Sequence, residues 1–413
     1  MLRRAKYGLV LTTLLAAPAS ANVITDWDEI AVKTLQTAIG TTVPVNTLPG
    51  LQNGRAMTMT HLAMFNAVNC IEPKYQGYGM QPEPSPDTSQ EAAAASAAGN
   101  LLIKLVPKDK TLLAQLQDYL AKMPDSPAKQ RGVKLGEEVA SKIVKLRDGD
   151  GTERTKNGFR PVTQPGVYSA TLFQYGWEAS GIKPMALTSA EQFRPGPYPD
   201  LKSETWTKDY NEIKELGERD STKRSAQQTE DARFWLTSGP IVTHQILRQI
   251  VQAKKMSLVD SARFMAVVSM AEFDAGVAVL EAKWHYLFWR PMTAIRNGDI
   301  DDNPGTERDA TWMPIDLTPP HPEYPCAHCI TSGAIGGAIK VMLGTAEIPE
   351  VALTASTAPG VTHRFTNIDA INAEVSTARI YAGFHYRYST VVGSEMGQQI
   401  GDYVAKSVML PLK

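Results

Sequence analysis

Cysteine and histidine are scarce in this chain, with three and seven copies among 413 residues. Three cysteines cannot staple a small disulfide domain, so stability has to come from a buried core. Charge of either sign is not in excess: 42 Lys and Arg face 43 Asp and Glu, a formal net charge of −1, and no long basic run occurs. That excludes the broad electrostatic footprint of a nucleic-acid binder, so any anion site must be local. Period-two alternation of apolar and polar residues is also rare, which argues against a sheet protein. Beyond the first residues no charge-free apolar run reaches the roughly 20 residues that a membrane span needs. What is present, 43% hydrophobic and 21% charged residues, suits a globular protein with a sizeable core.

The start has the three-part layout of a secretory leader. Arg3, Arg4 and Lys6 precede an apolar stretch from about Tyr7 to Ala17, followed by Ala19-Ser20-Ala21. Cleavage is expected after Ala21, giving a periplasmic or secreted protein with no membrane span in the mature chain. Helical periodicity dominates the remainder. Leu135, Val139, Ile143 and Leu146 fall on one helical face, 91–105 and 111–122 are rich in helix formers, and 261–289 runs without proline as a largely buried helix or two end to end. The expected fold is all-α: two adjacent four-helix-type bundles with long connecting loops, a first unit over 22–200 and a second over 201–413 that carries the chemistry. Loops are expected at 80–90, 147–200 and 301–325, the last two ordered and closing over the site. GAIGGA (333–338) follows no strand, so close helix packing explains it better than a dinucleotide fingerprint.

Chemistry concentrates in the last third. HPEYPCAHCITSG (321–333) gathers two histidines, two cysteines and two prolines in nine positions, which leaves a metal site, a redox pair or an anion site to weigh. A lone C-x-x-C lacks the second ligand pair of a zinc site and the strand–helix context of a thioredoxin motif. The small residues from Ala327 onward read as a helix start, whose free N–H groups and positive end suit phosphate-like anions. His328 lies in that first turn, as a site residue or as a satisfied core histidine. Lys283 and Arg290 are seven apart, so in one continuous helix they project from nearly the same side; alone they also fit two cations snorkelling to solvent. Arg379 and His385, six apart, converge only if the chain bends, and Gly383 offers the bend.

Taken together, K-x6-R-P at Lys283, Arg290 and Pro291, then P-x-x-H at Pro325 to His328, then R-x5-H at Arg379 and His385 resemble the signature of the vanadium-dependent haloperoxidases and the related type 2 phosphatidic acid phosphatases. FWRPMTAIR, YPCAH and ARIYAGFHYRY look like the haloperoxidase branch. The resemblance implies that Lys283, Arg290 and Arg379, with Cys326 and Ala327, hold a tetrahedral anion, vanadate or phosphate. It implies His385 as the ligand of the central atom, His328 as acid or base, and Lys283 as the residue that polarises the bound oxidant. His321 is the candidate on the halide side. Three departures from the family pattern stand out: Cys326 for serine, Ala327 for glycine, and Ser389 where an aspartate would orient His385. On that pattern the anion loses a hydroxyl donor and His385 a charged partner, and a Cys326–Cys329 disulfide would remove the thiol as well.

Three functions fit these residues. The first is an exported vanadium-dependent haloperoxidase using hydrogen peroxide and halide, favoured by the long helical segment before residue 283. The second is a soluble acid phosphatase acting on phosphomonoesters through a phosphohistidine on His385. The third is a phosphate-binding homologue whose chemistry the departures have weakened. Asp274 is left between pairing with a site residue and helix packing.

Overall fold

The structure is a computed structural model that describes residues 22–413 apart from 43–48, 81, 153–159, 161, 171–173 and 238–239. The leader expected over 1–21 lies outside the described residues. Among those residues the chain forms thirteen α-helices and one hairpin. The first five are α1 (Val23–Thr42), α2 (Pro49–Asn69), α3 (Gln90–Leu105), α4 (Leu112–Ala121) and α5 (Pro127–Leu146). Next come α6 (Glu204–Leu216), α7 (Ala226–Phe234), α8 (Pro240–Ala253), α9 (Leu258–Tyr286) and α10 (Pro291–Arg296). The chain closes with α11 (Ala327–Leu343), β1 (Glu347–Thr354), β2 (Thr362–Asn367), α12 (Ile368–Tyr381) and α13 (Arg387–Ser407). The architecture is all-α, as the periodicity predicts. The antiparallel β1–β2 hairpin is an addition that the sequence did not suggest.

Serine punctuates the helix starts. Ser89, Ser126, Ser203, Ser225 and Ser257 each accept a backbone N–H three residues on, at the beginnings of α3, α5, α6, α7 and α9; each such cap contributes about 1 kcal/mol. On α5 the expected face is buried at Leu135, Val139 and Ile143, while Leu146 at the helix end is 39% exposed. The apolar stretch at 261–289 is the single 29-residue helix α9, buried through nearly its whole length. It packs on α2 and also on α11 and α13, so one element joins N-terminal helices to C-terminal ones.

Small residues let α11 approach α13 closely. A Cβ on Gly333 or Gly337 of α11 would fall 2.5–2.7 Å from the backbone oxygens of Ser394 or Gln398, and one on Gly397 or Gly401 of α13 would fall 2.1 Å from those of Ile330 or Ala334. Helix packing therefore accounts for GAIGGA. The same contact fixes the start of α11, where His328 sits.

Asp274 proves to be a packing residue. Its buried carboxylate accepts the backbone amides of Met185 (2.6 Å), Ala186 (2.8 Å) and Leu187 (3.0 Å), tying the long 147–200 passage to α9. Burial raises its pKa to about 6, against the lowering influence of those three donors. A second core of aromatic side chains supports the C-terminal site: Trp206 packs on Trp289 and Tyr386, and Tyr198 on Tyr324. Trp289, Tyr324 and Tyr386 are the chain neighbours of Arg290, Glu323 and His385, so this cluster sets the backbone from which those polar side chains project.

Candidate oxyanion site

Lys283 lies on the last turn of α9, which ends at Tyr286 with Leu287 in the left-handed region (φ 55°). Arg290 follows in extended conformation as the cap residue of α10, with Pro291 at its first position. The two cations therefore do not share a helical face, contrary to the seven-residue spacing argument. A chain turn between them brings them to one pocket. The Lys283 Nζ donates to the carbonyls of Pro322 (2.9 Å) and Glu323 (2.6 Å). Arg290 donates from Nε to the His321 carbonyl (2.9 Å), from Nη1 to the Phe384 carbonyl (3.0 Å) and from Nη2 to His321 Nδ1 (2.9 Å). The same Nδ1 also lies 3.1 Å from the Pro322 carbonyl.

At the start of α11, Cys326 and Cys329 form a disulfide, and the Cys326 sulfur caps the helix by accepting the Cys329 amide at 3.3 Å. The expectation that the Cys326 side chain helps to hold the anion is thereby corrected, because a disulfide sulfur has no hydrogen to donate. Ala327 and His328 occupy the first turn and line the cavity. His328 Nε2 is buried and has no hydrogen-bond partner among the described residues.

Gly383, at φ 78°, makes the bend between α12 and α13. The Arg379 carbonyl accepts the amides of Phe384 (3.1 Å) and His385 (3.3 Å), which closes the bend and brings Arg379 and His385 to the same pocket. The Arg379 guanidinium lies 4.9 Å over the Phe384 ring and donates from Nη1 to the Trp235 carbonyl (2.5 Å), while its buried Nε has no partner among the described residues.

His385 has a charged partner after all. Its Nδ1 is 2.7 Å from the Glu323 carboxylate, which also accepts the Tyr386 amide at 3.2 Å. The loss of orientation expected from Ser389 is thus corrected: a carboxylate from the 301–325 loop stands in for the missing aspartate, and the buried Ser389 hydroxyl lies beside it. Arg290 Nη1 can only donate and faces Nε2 at 3.3 Å, so Nε2 carries the lone pair and Nδ1–H donates to Glu323.

The electrostatics are those of an anion receptor. Lys283, Arg290 and Arg379 are all at most 2% exposed, and one buried carboxylate, Glu323, offsets Lys283 and Arg290. Burial pushes the Arg290 guanidinium down to about 10, and burial together with Arg290 pushes Arg379 down to about 9. Lys283 is driven well below its usual range by burial and by the two arginines. Burial raises Glu323 to about 7 against the pull of Lys283 and Arg290. His321, His328 and His385 are all held well below the ordinary imidazole range by burial first and the neighbouring cations second, hence neutral. Three buried cations with one counter-charge, an unpaired Arg379 Nε and an unpaired His328 Nε2 fit a tetrahedral oxyanion such as vanadate or phosphate. His321, His328, Arg379 and His385 line one end of a cavity of about 740 Å³, whose remaining wall includes Phe273 and Ile371. Tyr175 from the first long loop and Asp316 to His321 from the second contribute to its rim, apart from Thr318. Glu323, Trp235 and Phe384 are the site residues that the sequence pattern did not flag.

Comparison with known proteins agrees. Residues 263–413 match the family described as the VCPO second helical-bundle domain. The vanadium chloroperoxidase of Curvularia inaequalis is 31% identical over 141 residues, which span 28% of this chain and 22% of that relative. The first bacterial vanadium-dependent iodoperoxidase has the same fold at a TM-score of 0.78 and 21% identity, covering 94% of this chain and 98% of its own. The holo form of a bacterial vanadium-dependent chloroperoxidase superposes at 0.72 with 16% identity, covering 95% and 98%. At such identity the two structures speak for the fold alone, while the motifs and the family match over the C-terminal bundle speak for descent. Over its C-terminal part, residues 263–413, the chain is similar to the haloperoxidase-like branch of the vanadium-dependent haloperoxidase and type 2 phosphatidic acid phosphatase superfamily.

Proposed function

We propose that this protein is an exported vanadium-dependent haloperoxidase, with hydrogen peroxide and a halide as substrates. The observation that carries the reading is the burial of Lys283, Arg290 and Arg379 around a neutral His385 whose Nδ1–H is fixed by Glu323. Vanadate bound there would supply a centre that takes up peroxide and passes oxygen to halide. The chain's own residues do the rest. The three cations would neutralise the oxygens from buried positions, where each charge is worth more than in bulk solvent. His385 would hold the central atom through its Nε2 lone pair. Halide oxidation, H2O2 + X⁻ + H⁺ → HOX + H2O, consumes one proton, and His328 Nε2 is the unpaired basic atom on the cavity wall able to hold and deliver it. Lys283, buried beside Arg290 and held by the Pro322 and Glu323 carbonyls, would be the cation that polarises an oxidant bound there. His321, pinned by Arg290, is the halide-side residue. The leader-like start and the Cys326–Cys329 disulfide support an oxidising compartment.

A second reading rests on the same His385–Glu323 pair, since an imidazole oriented by a carboxylate is also what phosphohistidine chemistry uses. One pair of assays separates the two. Protein loaded with orthovanadate is expected to brominate a phenolic dye with peroxide and bromide, and to leave p-nitrophenyl phosphate untouched when vanadate is absent. Phosphatase turnover without halide oxidation would replace the first reading by the second.

A further inference from the structure

A second cluster of ligand-type side chains lies across Trp235 from the oxyanion pocket. Asp231 on α7, His363 on β2 and Glu374 on α12 bring one ligand atom each to within 4.8 Å of one another. Zinc bonds of 2.0–2.2 Å place such atoms roughly 3.4 Å apart, so about an ångström of closure completes the set. His363 Nδ1 is already 2.5 Å from the Glu374 carboxylate. The imidazole is 9% exposed and stacked on Phe234 at 4.0 Å, and its Nε2 has no hydrogen-bond partner among the described residues. That nitrogen faces the Glu230 carboxylate at 3.8 Å.

We propose that Asp231, His363 and Glu374 form a divalent transition-metal site, with zinc as the best match to one nitrogen and two oxygen donors. Both carboxylate donors have a hydrogen-bonded outer partner of the kind a metal ligand needs, and the imidazole has a carboxylate facing it. Glu230 faces the far nitrogen of His363, Trp235 Nε1 donates to Glu374 at 2.9 Å, and Gln227 Nε2 donates to Asp231 at 2.9 Å. No ion pair with Lys or Arg is found at any of the three carboxylates among the described residues. The other histidine–carboxylate cluster, Asp28 with His61 and His244, differs on that point: it is fully buried and Arg248 already neutralises Asp28 at 2.5 Å. A cation there would meet a guanidinium, whereas at Asp231 it meets uncompensated negative charge. Glu374 and Glu230 are 26% and 42% exposed at their side chains, which leaves a way in from solvent. The ion ties α7, β2 and α12 together around Trp235, whose carbonyl holds Arg379 Nη1. It thus braces one cation of the oxyanion pocket from behind.

The test is a titration of the chelator-stripped full chain with zinc chloride against a chromogenic competitor. One equivalent is expected in the unmodified protein. Asp231→Asn and Glu374→Gln, which keep shape and surface position, are each expected to weaken it at least about 100-fold, and Glu230→Gln about tenfold. Absence of binding to the unmodified protein overturns the proposal without recourse to any variant. Stoichiometric zinc that survives both Asp231→Asn and Glu374→Gln overturns it too, because the ion then sits elsewhere.

Discussion

Removing the His385 imidazole with alanine should abolish vanadate-dependent halide oxidation, and Glu323→Gln should weaken it by about 10–100-fold. The first effect follows from the proposed role of His385 as ligand of the central atom, an interaction worth several kcal/mol and hence about 10³-fold or more. The second follows from the outer partner. Glu323 accepts the Nδ1–H hydrogen bond at 2.7 Å and keeps the Nε2 lone pair available. Glutamine fills the same space and can still accept at Oε1, where the Tyr386 amide also donates, but it lacks the charge that makes the imidazole basic. The two anions should then separate. Phosphate, held by charge, is expected to bind Glu323→Gln at least as well as the unmodified protein, because a counter-charge to Lys283 and Arg290 has gone. Vanadate, which uses the nitrogen, is expected to bind less well. Parallel titrations with the two anions check this, and an equal change for both would remove Glu323 from its role.

The second large effect is one of opposite signs. Arg379→Met should raise the stability of the anion-free protein by about 1–2 kcal/mol, since apolar replacement of a buried charge is often neutral or stabilising. Arg379 lacks a carboxylate partner, its Nε is unsatisfied, and burial with Arg290 holds its pKa down to about 9. Against that gain the variant gives up one hydrogen bond to the Trp235 carbonyl. The same change should erase most of the stabilisation that an oxyanion confers. For the unmodified protein that is about 2.7 kcal/mol at a ligand concentration 100 times Kd. Thermal unfolding with and without orthovanadate reads both. A site built to receive an anion is strained without it, and the account requires that the strain be visible as stability regained when the cation is removed.

Much of this was legible in the chain because the informative residues recur at spacings that a helix or a helix end imposes. The start of α11 at Ala327, the bend at Gly383 and the continuous helix α9 all follow from local rules. The convergence of Lys283 and Arg290 was right in outcome and wrong in cause: a left-handed Leu287 turns the chain, and no spacing rule anticipates it. Glu323 escaped notice because a single acid in a proline-rich loop has no period, and its partner lies 62 residues away. Its signal was chemical, a lone carboxylate amid the buried cations of its own motif. The β1–β2 hairpin was missed because Pro349 and the irregular register between Glu347 and Val351 break the alternation that marks a strand. Asp274 could be assigned only once the amides of Met185 to Leu187 were seen to meet it.

The most direct test of the oxyanion pocket is calorimetric titration of the purified, anion-free protein with orthovanadate, alongside His385→Ala and Arg290→Ala. One equivalent bound by the unmodified chain, and lost or weakened about 10²-fold or more in both variants, is the predicted result. Vanadate that fails to bind, or that binds equally well when either residue is absent, would contradict it.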